Sequence, residues 1–335
     1  MRARTWIWAR SEVVIIAVSS AFGLGAALLS GSDPATGALA GVLIGSFIST
    51  LENLLQGRWA AAVRRWPLIA VLLLRTALYG AAFIVMVHVS NALVLRSFDP
   101  ILNPTRLVSN GTLFLSFAFA FAVNFTVLLG RLLGSRVAIS LITGRYRQPR
   151  KEVRIVLFMD LRGSTQIAER LGDERFHRFL NQVFSDIADP VLEAGGEIYR
   201  YVGDEIIVTW LVKGGARETR CLQCVFAIED ALSARRRRYL AEYGAEPRLR
   251  TALHAGPLIV GEMGDLKREI VLLGDTMNTA ARIENACRTF DKDVIASAPT
   301  LRLLALPAGV RAESLGMVAL RGKEAELELF AVTRG

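Results

Sequence analysis

Two kinds of apolar patterning divide this chain. Over the first 135 residues, apolar positions run almost unbroken through four segments, 13–29, 35–54, 68–89 and 111–133. Each is long enough for about 20 helical residues, the length that spans a hydrocarbon core of about 30 Å. The second is diluted by glycine and serine; Gly41 and Gly45, four apart, suit close helix packing. From Val153 onward, short apolar runs alternate with amphipathic stretches. Residues 153–159 predict a largely buried strand, and 164–190 an amphipathic helix with Ile167, Leu171, Phe179, Val183 and Ile187 among its apolar positions. Residues 197–201 and 205–210 predict two strands joined at Val202-Gly203-Asp204, and 217–243 a second long helix. Strands follow at 248–254 and 258–260, separated at Gly256-Pro257, then a strand at 269–273 and a helix at 276–286. A short element at 299–306 precedes a strand pair at 312–321 and 325–332.

The opening order β-α-β-β-α-β predicts an α+β fold, a ferredoxin-like mixed sheet with helices on one face. The apolar segments predict an α-helical transmembrane bundle before it. Three domains are expected: 1–134 in the bundle, 135–151 as a coupling linker or helix, and 152–335 as the second fold. The coupling segment mixes Leu132, Leu133, Val137, Ile139 and Ile142 with arginines before Pro149 limits further helix.

Charge sharpens this division. The formal net charge of +9 is not that of a nucleic-acid binder, because residues 1–150 carry 14 Lys+Arg against 4 Asp+Glu, a net of +10, while residues 151–335 carry 26 and 27, a net of −1. Basic residues flank the apolar segments at Arg2, Arg4, Arg10, Arg58, Arg64, Arg65 and from Arg131 onward. By the positive-inside rule this predicts a multi-pass protein of the inner or plasma membrane, in contact with the lipid bilayer, with both termini and the second fold cytoplasmic. No cleavable signal peptide is expected. Three cysteines make no disulfide framework, and Cys221-x-x-Cys224 reads as packing. His88, a lone histidine in the third apolar segment, is assigned no cofactor, and nothing in the sequence names an activating signal.

The candidate chemistry lies in the second fold. Asp160 ends the apolar run VRIVLFMD and Asp204 sits in the turn YVGDE. Two carboxylates at the ends of adjacent strands form an oxygen-ligand site suited to Mg²⁺ or Mn²⁺. Gly163-Ser164-Thr165, beside the first carboxylate, opens a helix whose free N–H groups suit phosphate. Together they point to chemistry on a nucleoside triphosphate.

At five places the text resembles the class III nucleotidyl cyclase catalytic domain, over roughly 152–333: Phe158-Met159-Asp160-Leu161-Arg162-Gly163-Ser164-Thr165; Tyr201-Val202-Gly203-Asp204-Glu205; His254-Ala255-Gly256-Pro257 with Gly261; Gly274-Asp275-Thr276-Met277-Asn278-Thr279-Ala280-Ala281-Arg282; and Leu320-Arg321-Gly322-Lys323. The resemblance implies a lyase, an adenylate cyclase making 3′,5′-cyclic AMP and pyrophosphate from ATP, with GTP the less favoured substrate. It implies two Mg²⁺ or Mn²⁺ ions on Asp160, Asp204 and the Leu161 carbonyl, with Asn278 orienting the ribose, Arg282 neutralising the α-phosphate and Lys323 on the terminal phosphates. It also implies a head-to-tail homodimer with composite active sites.

The base-reading positions depart from the family pattern. Arg200 stands where a lysine is usual and Val271 where an Asp or Thr is usual, so Lys267 and Glu269 join them as base-pocket candidates. Two other readings compete. A diguanylate cyclase is suggested by Gly203-Asp204-Glu205 but lacks the second glycine, Val202 standing there. A membrane sensor with a non-catalytic, nucleotide-binding cyclase-like domain is the other.

Overall fold

A computed structural model describes residues 13–56 and 66–95 (apart from 14–15, 26 and 29–32), scattered positions from 114 to 128, and 140–335 apart from 141–142, 213–218 and 324. The chain divides into two compact units, Met1–Ile139 and Ser140–Gly335.

In the first unit, α1 (Pro34–Gln56) and α2 (Leu68–Leu95) pack against each other. Ala40, Ile44, Leu72, Tyr79 and Ala82 are buried. Small residues allow close backbone approach: a Cβ on Gly41 would lie 2.2 Å from the Ser19 carbonyl oxygen. Among the described residues, no helix is long and apolar enough to cross a membrane. This overturns the expected transmembrane bundle, and with it the lipid bilayer as a partner and the multi-pass membrane location with cytoplasmic termini. An apolar run reports burial without naming what covers it; for these buried residues the cover is helix packed on helix. The expected fourth segment is described only at scattered positions, and residues 135–139, 141 and 142 of the expected coupling segment lie outside the described residues, as does the His88 side chain.

The second unit contains β1 (Arg150–Leu161), α3 (Ser164–Leu171), α4 (Asp173–Glu193), β2 (Glu197–Val202), β3 (Glu205–Leu211), α5 (Arg220–Ala234) and α6 (Arg236–Tyr243). It continues with β4 (Leu249–Met263), β5 (Glu269–Leu273), α7 (Asp275–Thr289), β6 (Val294–Ser297), α8 (Ala298–Leu303), β7 (Val310–Val318) and β8 (Leu327–Arg334). One eight-stranded sheet runs β2-β3-β1-β4-β6-β8-β7, with β5 paired to β4. β1 is antiparallel to both β3 and β4, while β4 and β6 are parallel, so the α+β fold with a mixed sheet is present.

Side chains alternate across a strand, and β1 uses both faces. Ile155, Leu157, Met159 and Leu161 pack with Phe179, Val183 and Ile187 of α4 and Leu222 and Val225 of α5. Val156 and Phe158 pack with Ala280, Ile283 and Ala286 of α7. Helices therefore cover both faces rather than one, which is why β1 reads as an unbroken apolar run. The same alternation carries Asp160 to the face of α7.

Gly256-Pro257 does not break the chain into two strands. β4 continues through it, with Pro257 in register with Val153. The pair seats the first turn of α7: Thr276 Oγ1 donates to the Pro257 carbonyl at 2.7 Å, and a Cβ on Gly256 would lie 2.6 Å from that hydroxyl.

The end of the expected linker is built into this unit. Tyr146 is buried, its carbonyl accepts from the Glu262 N–H at 2.9 Å, and Arg150 and Lys151 already belong to β1. The Arg154 guanidinium is buried nearby, donating to Glu152 (2.9 Å), Glu197 (3.0 Å), Thr209 (2.9 Å) and the Tyr146 hydroxyl (3.2 Å).

Candidate active site

The β1–β3 register pairs Asp160 with Glu205, so the turn preceding Glu205 arrives beside the end of β1. Gly203 takes the left-handed conformation (φ 62) that this tight connection requires. The Asp204 carboxyl thereby meets that of Asp160, across 44 residues of sequence. Asp160 is 5% exposed. Burial, then the neighbouring Asp204, pushes its carboxyl well above the usual carboxylate range. Glu205 is pushed up to about 7, by burial first and then by Glu284, Asp160 and Asp204. Negative charge is thus costly here without a compensating cation.

Hard oxygen donors whose ionised forms crowd one another are the chemistry a divalent ion satisfies, so Asp160 and Asp204 fit one. Among the described residues, no group of three or more His, Cys, Asp or Glu side chains is arranged to hold a metal ion. Leu161, whose carbonyl is the expected backbone ligand, follows Asp160 on β1. Gly163 sits at the start of α3 with φ 70, and no side chain caps the helix, leaving Ser164 and Thr165 in its uncapped first turn.

Two residues missed in the sequence stand against these carboxylates. Arg288 Nη2 donates to Asp160 Oδ2 at 2.7 Å, and its Nε lies 3.5 Å from Glu284 Oε1. Their i, i+4 spacing on α7 was readable, but not that this end of the helix meets the end of β1.

Asn278 and Arg282 lie one turn apart on α7, with Lys323 beside its start. Arg282 Nη1 donates to the Gly322 carbonyl at 3.5 Å, and Lys323 Nζ pairs with Asp275 at 2.7 Å, at the start of α7. At 1.5 Å per residue, Arg282 lies about 9 Å and Asn278 about 15 Å along the axis from Arg288. Among the described residues, no hydrogen bond or ion pair joins Asn278 or Arg282 to Asp160 or Asp204. Asn278 thus lies in the first turn of α7, Arg282 at its middle and Arg288 in its last turn.

The base-pocket candidates do converge. Arg200 of β2 and Lys267 both pair with Glu269, Lys267 Nζ at 2.6 Å from Oε1. Lys267, then Arg200, holds the Glu269 carboxyl below its ordinary value. Val271 lies two residues on, opposite Gly261, and adds no polar group. Elsewhere, His254 Nδ1 lies 2.7 Å from Ser297 Oγ, and burial and then Lys323 push the imidazole down to about 4, so it is a neutral packing residue. Cys221 and Cys224 are buried in the core.

A mixed sheet with a strand-end carboxylate pair and an uncapped helix start beside it is an α+β domain whose donors suit a divalent ion and phosphate. Residues 146–333 match the adenylate and guanylate cyclase catalytic domain, and the chain belongs to that family. This is the catalytic domain of class III nucleotidyl cyclases, which are phosphorus–oxygen lyases, and two-metal catalysis typical of the class is consistent with its donor set.

Adenylate cyclase 2 of Rhizobium meliloti (strain 1021) is 44% identical over 213 residues, 64% of this chain and 59% of that protein. Retinal guanylyl cyclase 1 of Homo sapiens is 28% identical over 213 residues, 62% of this chain and 19% of that protein. The chain therefore spans well under two thirds of the length of either. Among solved structures, a bacterial light-regulated adenylyl cyclase superposes with a TM-score of 0.57 at 19% identity, covering 67% of this chain and 66% of that one. The adenylyl cyclase CyaB from P. aeruginosa gives 0.50 at 21%, covering 56% and 97%. At these identities the structures establish the fold.

Proposed function

We propose that the chain is an adenylate cyclase, acting at composite sites formed between two copies. The observation that carries this is the separation of the half-sites: Asp160 and Asp204 stand by the end of α7, while Asn278 lies in its first turn and Arg282 at its middle. A head-to-tail homodimer sets the carboxylates of one copy against the Asn278 and Arg282 of the other, giving two equivalent sites.

Two Mg²⁺ or Mn²⁺ ions, when bound, supply charge neutralisation on the triphosphate and acidify the ribose 3′-hydroxyl. Asp160, Asp204 and the Leu161 carbonyl hold them. The N–H groups from Gly163 to Thr165 donate to phosphate oxygens, and Lys323 binds the terminal phosphates. Asn278 orients the ribose so that its 3′-oxygen lies in line with the α-phosphorus. A 3′-oxygen to α-phosphorus bond forms, the bond from that phosphorus to the bridging oxygen breaks, pyrophosphate leaves with that electron pair, and the hydroxyl proton passes to solvent. Arg282 neutralises charge on the α-phosphate as it develops.

For the base, Arg200 can donate to the adenine ring nitrogen and Glu269 can accept from its amino group. The 44% identical relative named as an adenylate cyclase supports ATP. One observation favours GTP as the second reading: Glu269, kept ionised by two cations, also suits the adjacent N–H donors of guanine. The deciding experiment incubates purified chain with ATP or GTP and Mg²⁺ or Mn²⁺, beside D204A, and identifies the product. Cyclic AMP from ATP, lost in D204A, is expected; cyclic GMP alone reverses the substrate, and no cyclic product at all overturns the enzyme reading.

A further inference from the structure

One cation beside the carboxylates has no part in the chemistry above. Arg288 lies in the last turn of α7, and its guanidinium bridges two acids, Asp160 Oδ2 at 2.7 Å and Glu284 Oε1 at 3.5 Å. The two acids are 7% and 6% exposed, whereas the Arg288 side chain is 54% exposed. Among the described residues, Glu284 Oε1 is buried and accepts no hydrogen bond, and the Arg288 guanidinium is a cationic neighbour. Four carboxyl groups, Asp160, Asp204, Glu205 and Glu284, act on one another here, and Arg288 is a positive group that faces them, with Arg250 the strand neighbour of Asp160.

We propose that Arg288 is a built-in competitor for the divalent ion, a guanidinium that holds Asp160 in the resting chain and that the ion must displace. This rests on the metal reading of Asp160 and Asp204. The physical argument has three parts. A buried carboxylate pair is costly without a countercharge, so the metal-free chain gains stability from any cation that reaches it. Asp160 Oδ2 cannot serve the guanidinium and a divalent ion together, and the two positive charges repel across a site shielded from water. Displacement is nonetheless cheap, because a side chain more than half exposed swings into solvent at little cost, and Glu284 one turn away can retain it. The pair therefore sets how much free divalent ion the site needs before it fills, a threshold read independently of turnover.

The test is a Mn²⁺ titration of the full chain without nucleotide, following the free Mn²⁺ signal by electron paramagnetic resonance. R288Q, R288K and D204N are compared with the parent, and each is melted in EDTA. R288Q should bind Mn²⁺ about three- to tenfold more tightly, the range expected from removing one partly exposed competing charge. It should also melt at a lower temperature in EDTA and gain more from Mn²⁺. R288K, which keeps the charge but loses the planar fork, should fall between, and it carries the test should R288Q not fold. Mn²⁺ binding that is unchanged or weaker in these Arg288 variants, while D204N loses it, overturns the competitor role and leaves the metal site standing. Mn²⁺ binding that neither D204N nor R288Q alters overturns both.

Discussion

Asp160 and Glu205 are register partners across the β1–β3 pair, so the residue that follows the turn carboxylate stands opposite the penultimate residue of the core strand. Glu205 consequently shares the crowded field of Asp160, Asp204 and Glu284 although no catalytic role requires it. Its carboxyl is raised from 4.5 to about 7 in the folded chain. A raised carboxyl makes the native state bind more protons than the unfolded state between those values, so its contribution to stability falls as pH rises through that window and stays lost above it.

E205Q should therefore stabilise the metal-free protein at pH 8, by about 1–3 kcal/mol, and do little at pH 5, where the native carboxyl is already protonated. Urea melts in EDTA at the two pH values check this. Equal effects at both would show that Glu205 is not perturbed by its neighbours. His254, lowered to about 4, works in the opposite direction in both proteins and cancels from the comparison.

The separation of the half-sites gives a second prediction. D204A and R282A should each be inactive, because every site of either homodimer lacks one half. Mixed in equal amounts, random exchange makes half the dimers heterodimers, each with one intact site, so activity should recover to about a quarter of the parent value. No recovery, in a mixture that exchanges subunits, would mean that Asp204 and Arg282 serve the same site within one chain.

The third concerns Arg154, whose guanidinium ties Glu152 and Tyr146 to Glu197 of β2 and Thr209 of β3. Removing one partner of a buried pair leaves the others uncompensated. R154A should destabilise the catalytic unit by about 3–5 kcal/mol, and Y146F, which removes one hydroxyl from the network, by about 1 kcal/mol. Denaturant midpoints measure both. A loss in R154A no larger than in Y146F would show that solvent replaces the network.

What the sequence revealed of this fold, and what it concealed, follows from the range of each interaction. Periodicity is local, so β1, the amphipathic helix after it and the 203–204 turn were readable, and the two aspartates could be placed at adjacent strand ends. Gly256-Pro257 misled because a proline reads as a break, whereas the strand loses only one donor there and gains a seat for Thr276. The second sheet face, closed by α7, was hidden because the apolar run of β1 does not say how many layers cover it. Arg288 and Glu284 lay in plain sight on the Asn278 helix, yet their meeting with Asp160 is a tertiary contact across 128 residues. The apolar first 135 residues misled most, since hydropathy cannot tell a helix covered by other helices from one covered by lipid.

Glu269 provides the last prediction, because it is the one acid among the base-pocket candidates and two cations share it. If it accepts from the purine, E269A removes an interaction made equally by bound substrate and transition state. KM for the preferred nucleotide should then rise, by about tenfold, with kcat changed much less. The ratio of kcat/KM for ATP over GTP should move toward unity, because discrimination by a hydrogen-bonding group is lost along with the group. If Glu269 serves only to hold Arg200 and Lys267 in place, both nucleotides should instead weaken together and the ratio should stay fixed. Steady-state kinetics with both nucleotides on E269A separate these outcomes. R200A extends the comparison: loss of a donor to the ring should weaken ATP and GTP by different factors, whereas loss of mere support for Glu269 should reproduce the E269A pattern.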